Sequence, residues 1–284
     1  MPELPEVETI RRHLAPLVKG RRLETLTVHD PRWCLPLTPD ALVDACTSRR
    51  IERLDRRGKY LVTVLEDDVF LLLHLRMTGT LLYDAAPEER YRRVTLGLGD
   101  GHHLAFCDPR RFGTGELALG PAALAAFFAS RLGLEPLDGA LTGPALRALA
   151  QGRRGPIKAF LLDQRHVAGV GNIYADEALH RAGIHPRRPA GGLRPAQYSA
   201  LAGAVTAALR AGLDAGGATI DDFRHPDGVS GGFQHEFLVH RRGGEPCGTC
   251  GTSIVKLVVG GRGTYVCERC QPRPRFGATV RSTP

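Results

Sequence analysis

The chain has 284 residues, 43% hydrophobic and 24% charged, a globular composition that excludes a disordered or fibrous protein. Its formal net charge of +8 favours a polyanionic partner, nucleic acid first, while 6% aromatic residues are too few for a single-strand binder built on stacking platforms. No apolar run approaches a membrane span, and the first twenty residues carry Glu3, Glu6 and Glu8 with no apolar segment of signal-peptide type, so a cytosolic protein with no membrane partner is expected.

In chain order, residues 5–18 read as a helix with Ile10, Leu14, Leu17 and Val18 on one face, ended by Gly20. Residues 22–119 read as β, with short apolar runs at 23–28, 60–65, 69–75, 80–83, 94–98, 103–107 and 115–119, interrupted by a short helix at 39–47. That spacing suggests a sandwich or barrel. Helices are expected at 121–132 and 144–150, around a connector at 133–137. Two more follow at 156–166 and 172–182, joined by 167–171, and then a long Ala/Leu helix at 195–214. Glycines dominate from 216 to 244. The expected class is α+β and multidomain: an N-terminal β domain (1–120), a linker (121–140), a helical domain (141–215), a glycine-rich loop region (216–242), a cysteine module (243–271) and a loose tail (272–284).

Of the seven cysteines, Cys34, Cys46 and Cys107 are scattered and read as small buried hydrophobes. Cys247, Cys250, Cys267 and Cys270 form two CxxC pairs separated by sixteen residues. In a reducing compartment this spacing points to one structural Zn2+ in a closed tetrahedral thiolate shell. The segment between the pairs reads as a hairpin over Gly260-Gly261, presenting Lys256 and Arg262.

The opening Met1-Pro2-Glu3-Leu4-Pro5-Glu6 has two readings. The small second residue favours removal of Met1, which would leave Pro2 with a secondary amine. Such an amine is partly neutral near pH 7, and its attack on a sugar carbon gives an iminium ion that eases elimination of a neighbouring phosphate. Alternatively, Pro2 begins a tail and the glutamates only complement the dipole of the first helix.

Several motifs together resemble the Fpg/Nei family of DNA glycosylases, in particular its formamidopyrimidine-DNA (8-oxoguanine-DNA) glycosylase branch: PELPEVET at 2–9, RRGKYL at 56–61, HLRMTG at 74–79, DPRRFG at 108–113, GVGNIYADEAL at 169–179 and the four-cysteine finger. The resemblance implies an N-terminal helix plus β-sandwich, a helix-two-turns-helix DNA-binding domain and a zinc-finger hairpin. It also implies a monomeric bifunctional glycosylase/AP lyase of base excision repair in the bacterial cytoplasm and nucleoid, acting on oxidised purines in double-stranded DNA by β,δ-elimination. Pro2 matches the nucleophile, Glu3 the acid that assists sugar-ring opening, Glu6 a supporting carboxylate, Lys59 the lysine of β-elimination and Arg262 the phosphate-binding residue of δ-elimination. Chemistry suits Arg262 to electrostatic stabilisation better than to proton donation. Met77, Arg111 and Phe112 match residues that fill the void left by an extruded nucleotide. Asn172, Lys158 and Arg154 match phosphate contacts, Asn172 being equally a helix cap, and His74 on its strand reads either as a further phosphate contact or as a structural histidine.

Three places depart from the family pattern. Tyr91-Arg92-Arg93 stands where a histidine is common, which leaves Tyr91 or Arg93 as the DNA contact. The lesion-capping loop, at about 217–238, has Gly231-Gly232-Phe233-Gln234, and Val239-His240-Arg241-Arg242 replaces a common Tyr-Gly-Arg. A mobile loop and altered reading of the base are the expected consequences. Two rival readings are an endonuclease VIII-like enzyme for oxidised pyrimidines and a non-enzymatic zinc-finger DNA binder, for which the Pro2-Glu3 pair would be useless.

Overall fold

The computed structural model describes residues 1–219 and 224–274. The chain divides into two compact units, one of Met1–Asp138, Gln164–Gly171 and Leu209–Glu236, the other of Gly139–Asp163, Asn172–Ala208 and Phe237–Pro284. Most of the expected tail lies outside the described residues, as does part of the expected capping loop (220–223).

The first unit opens with α1 (Leu4–Val18), followed by β1 (Arg22–Val28), α2 (Pro39–Cys46), β2 (Arg49–Arg57), β3 (Tyr60–Leu65), β4 (Val69–His74), β5 (Thr80–Tyr83), β6 (Arg92–Leu98), β7 (His103–Cys107), β8 (Thr114–Leu119) and α3 (Pro121–Ala129). The strands form one antiparallel ladder in the order β5-β7-β6-β1-β2-β3-β4-β8. β1 and β2 share only two residue pairs, Arg22–Arg50 and Leu23–Arg49, so the ladder folds there into two halves. Leu23, Leu96 and Phe106 from one half and Leu54, Leu61, Leu71 and Leu73 from the other share a single core with Val7, Ile10 and Leu14 of α1. This is the sandwich. β3 and β4 are buried along their whole length because Leu124, Phe127 and Phe128 cover their other face, which explains their unbroken apolar runs.

β2 has no counterpart among the expected strands. Its sequence, Arg-Arg-Ile-Glu-Arg-Leu-Asp-Arg-Arg, shows no alternation, yet Ile51 and Leu54 both reach the core. A register shift between Ile51 and Arg53 reconciles the odd spacing with one buried face.

The second unit contains α4 (Gly143–Ala150), α5 (Ile157–Leu162), α6 (Asn172–Arg181), most of α7 (Pro195–Asp214) and the hairpin β9 (Val255–Val259) and β10 (Arg262–Val266). α5 stops at Leu162, short of the expected 166. Residues 164–168 instead join the first unit, where Gly133 and Leu134 amides donate to the Gln164 and His166 carbonyls and the Ala168 amide donates to Leu134.

Candidate active site and metal centre

The N-terminal motif is a capping box. Glu3 is the N-cap of α1, its side chain accepting the Glu6 amide, while Glu6 Oε2 accepts the Glu3 amide at 2.8 Å. Glu6 Oε1 also accepts the Ala218 amide at 2.8 Å, which ties the first turn to the start of the glycine-rich loop. Both carboxyls are almost fully buried, at 2% and 1% exposure. Pro2 is buried directly before them.

The slot that admits these residues is made by glycines 169 and 171. A Cβ on Gly171 would lie 2.2 Å from Glu3 Cδ, and one on Gly169 would lie 2.6 Å from the Leu4 side chain. Gly169 also has φ +82° and accepts the Leu4 amide at 3.0 Å. The Gln164 side chain pins the segment, donating to the Val170 carbonyl and accepting the Gly169 amide, each at 2.8 Å. The glycines of GVGN are therefore places of close approach rather than points of flexibility.

Lys59 enters through the same segment. Gly58, at φ +55°, packs so that a Cβ would lie 3.4 Å from Ala168 Cβ and 3.5 Å from the Gly169 nitrogen. Its amide donates to Glu135 Oε2 at 2.9 Å. Arg56 bridges Glu135 (2.9 Å) and Glu8 of α1 (3.2 Å), and its guanidinium also donates to the Gly58 carbonyl at 2.9 Å. Burial opposes ionisation of Glu8, but hydrogen bonds from Arg11 and Arg12 and the Arg56 charge hold its pKa down to about 2. The beginning of RRGKYL thus anchors the turn that carries Lys59, which is itself 4% exposed. His74 pairs with Tyr60 across the ladder, one residue along from Lys59. Burial, then the charges of Arg76 and Lys59, push its pKa down to about 3, and its Nδ1 accepts the Arg76 amide at 3.0 Å. His74 is therefore neutral, and only its Nε2–H is a donor.

Met77, Arg111 and Phe112 occupy two turns organised by one carboxylate. Asp108 is fully buried and accepts the amides of Arg110 (3.1 Å), Phe112 (2.8 Å) and Gly113 (2.7 Å). It also accepts the Thr78 hydroxyl, next to Met77. Phe112 is half exposed, and Arg111, at φ +60°, is held by Asp30 at 2.7 Å. Of the two alternatives near β6, Tyr91 is 49% exposed, whereas Arg93 donates through Nε to the Asp108 carbonyl at 2.8 Å. A cavity of about 670 Å³ opens beside these turns, lined among others by Thr78, Glu89, Tyr91, Thr219 and Arg224. Arg224 and Glu89 pair at 2.9 Å.

The described ends of the glycine-rich loop are tied together. Gly231 donates to Thr219 Oγ1, Thr219 to Gln234 Oε1, and Phe233 to the Gly217 carbonyl. A Cβ on Gly231 would lie 2.4 Å from the Gly217 oxygen, and Phe233 is wholly buried. The expectation of a mobile loop is corrected for these ends, where hydrogen bonds and close backbone packing replace glycine freedom.

In the second unit Arg262 is exposed at the start of β10, after Gly260 and Gly261, both at positive φ as a two-residue hairpin turn of type I′ requires. Asn172 Nδ2 and Lys158 Nζ both donate to the carbonyl of the next residue, Gly263, at 2.9 and 3.1 Å. Lys158, expected as a phosphate contact, is fully buried, its ammonium 2.7 Å from Asp176 and 2.8 Å from Thr264 Oγ1. Its charge is satisfied within the fold, where it holds the hairpin. Arg154 is exposed. His240 takes a core position, stacked edge-on between Phe237 and Tyr265 and bonded to Asp176 at 2.8 Å.

The four cysteine sulfurs lie within 4.8 Å of one another, with Cys247–Cys270 at 3.9 Å and Cys250–Cys267 at 3.4 Å. A zinc tetrathiolate with 2.3 Å bonds has S···S edges of about 3.8 Å, so the cluster fits one Zn2+ and has no position left for water. The ion's role is to hold the hairpin. His180 Nε2 stands 3.5 Å from Cys247 Sγ, and Gln271 accepts the Cys267 amide while donating to the Ile184 carbonyl.

Sequence reasoning assigned no role to Glu135, Asp108, Asp176 or Glu177. Glu177 is fully buried and receives the amides of Leu238, Val239 and His240. All four carboxylates sit beside recognised motifs or within them. Only their burial reveals what they do.

Comparison with known proteins matches three successive stretches of the chain. Residues 1–115 match the formamidopyrimidine-DNA glycosylase N-terminal domain, 132–224 its H2TH domain, and 244–273 a zinc finger found in FPG and IleRS. A formamidopyrimidine-DNA glycosylase of Alkalilimnicola ehrlichii is 46% identical over 279 residues, covering 95% of this chain and all of that protein. A Lactococcus lactis FPG mutant in complex with Fapy-dG-containing DNA superposes with a TM-score of 0.90 at 34% identity, over 96% of this chain and 100% of that one. The FPG protein of Thermus thermophilus gives 0.86 at 42% identity, over 95% and 98%. With three consecutive domain matches and full-length relatives, the chain belongs to the formamidopyrimidine-DNA glycosylase family.

Proposed function

We propose that this protein excises oxidised purines from duplex DNA through covalent attack by Pro2, and then cleaves the strand on both sides of the abasic sugar. The observation that carries the reading is the glycine-walled slot that buries Glu3 directly after Pro2. A capping box alone needs no such burial. Once Met1 is removed, the Pro2 nitrogen bonds to C1′ of the extruded nucleotide and the glycosidic bond breaks, its electron pair leaving with the base. Glu3 assists by protonating the opening sugar ring, and an iminium ion results. That ion acidifies C2′–H; loss of this proton expels the 3′ phosphate, and a second elimination expels the 5′ phosphate. Lys59 handles the proton of the first elimination. Arg262 stabilises the leaving phosphate as a fixed cation.

The cavity beside Thr78 and Arg224 is the proposed receptacle for the extruded base, with Met77, Arg111 and Phe112 replacing it in the stack. Tyr91, Arg154, Asn172 and the His74 Nε2–H are the proposed backbone contacts, His74 as a neutral donor. One active site serves one lesion, so the expected state is a monomer, working on DNA in the bacterial cytoplasm.

Borohydride reduction on an 8-oxoguanine duplex tests the reading. A covalent protein–DNA adduct is expected for the processed protein, weakened by Pro2→Gly and abolished by a tag ahead of Met1. Incision without any reducible adduct, or full activity of the tagged protein, would overturn it.

A further inference from the structure

Among the described residues a second cluster of metal-competent side chains lies in the first unit, apart from the finger. His13 is on the exposed side of α1, and His225 and Asp227 belong to a turn within the glycine-rich loop. One donor atom from each lies within 4.8 Å of the other two. The imidazoles meet edge to face with centroids 5.0 Å apart. His225 Nε2 is 2.7 Å from the Gly216 carbonyl oxygen. A carbonyl only accepts, so that nitrogen carries the proton and Nδ1 holds the ring's lone pair. A ligating histidine is commonly oriented in this way, by a hydrogen bond from its other nitrogen.

The rest of the site is also built. His225 is 7% exposed, and the turn is closed by the Gly228 amide donating to its carbonyl at 2.8 Å, with Gly228 at φ +85°. Asp227 Oδ1 accepts the Val229 amide at 3.0 Å, which orients the carboxylate without exhausting its lone pairs. A groove of about 470 Å³ runs past His13 and Asp227, walled by Pro16, Leu17 and Tyr83. Arg12, the cation on this groove, is paired with Glu8 at 2.9 Å.

We infer that His13, His225 and Asp227 form a second metal site, for an exchangeable divalent first-row transition ion of the Zn2+ type. Two imidazoles with one carboxylate suit zinc, nickel or copper better than magnesium or calcium. Three protein donors leave a position for water, and two of the three residues are solvent-exposed, so the ion exchanges where the four-thiolate ion does not. When bound, it staples the turn at 225–228 to α1, the helix whose first turn holds Glu3 and Glu6.

The test uses full-length protein with its finger loaded, dialysed against buffered free Zn2+, with metal per chain counted by mass spectrometry. Two ions per wild-type chain are expected, and one for His13→Ala or Asp227→Ala, both substitutions at exposed positions. Amide exchange at 224–229 should slow on adding Zn2+ to the wild type and not to the variants. One ion per saturated wild-type chain, two ions in either variant, or unchanged exchange at 224–229 would overturn the inference.

Discussion

Gly171 shows how strongly one absent side chain can constrain a site. With a Cβ only 2.2 Å from Glu3 Cδ, alanine forces the carboxyl out of its slot. A displacement of about 1 Å at a reacting group costs on the order of a hundredfold in rate. Gly171→Ala should therefore lower single-turnover base release by about that factor while DNA affinity, measured by gel shift, stays within a few-fold. Unchanged base release would separate Glu3 from the chemistry. His74 makes a second prediction at this scale. Its folded pKa of about 3 lies below the ordinary 6.5, so the unfolded state binds the extra proton between those values. Stability is full above pH 6.5 and falls as pH drops, by up to about 1.4 kcal/mol per unit for one proton. Burial lowers His185 in the same direction, so it adds to the slope. Glu8, held at about 2 against 4.5, steepens the fall only below pH 4.5. Urea melts from pH 7 to 5 should show the slope, reduced by about one proton's worth in His74→Gln, whatever that variant's absolute stability.

At the level of elements, two turns far apart in sequence depend on Asp108. Three amides and the Thr78 hydroxyl converge on it in a fully buried place. Asp108→Asn replaces an acceptor by an NH2 facing amide donors, which should cost about 2–4 kcal/mol. The single tryptophan, Trp33, packs on Phe106 with centroids 5.5 Å apart and reports the melt. On the proposed reading Arg111 also meets the base left opposite the lesion, so the variant should lose discrimination among opposing bases once Met77, Arg111 and Phe112 are no longer held together. Retained discrimination at reduced stability would show that Asp108 serves the fold alone. The elements carrying these turns were legible where the apolar period was clean, as in β4 and β7. They were not legible in β2, where charge masks the two core residues and a bulge breaks the spacing. Motif glycines were legible as glycines. Their purpose was not, because close approach between Gly171 and Glu3 is a tertiary fact. The same holds for Lys158, whose pairing with the buried Asp176 is invisible in the local sequence.

Across the whole molecule, the proposed chemistry divides between the units: Pro2, Glu3, Lys59 and the void-filling residues lie in the first, Asn172 and Arg262 in the second. Removing zinc should therefore separate DNA grip from the catalytic fold. The finger's core is little more than Val239, Ile254, Tyr265 and the cysteines themselves, too little apolar surface to hold the hairpin without the ion. When β9 and β10 loosen, the Gly263 carbonyl leaves Asn172 and Lys158, and Arg262 loses its fixed position. A charge-assisted hydrogen bond contributes about 1.5–3 kcal/mol, so loss of the Arg262 contact alone predicts roughly a ten- to hundredfold weaker complex. The first unit has its own core around Trp33, and that residue's fluorescence should be unchanged. Chelation that leaves DNA affinity intact would detach the finger from recognition, and collapse of the Trp33 signal would show that the first unit depends on the metal. Restoring Zn2+ to the chelated protein should return binding without refolding the sandwich.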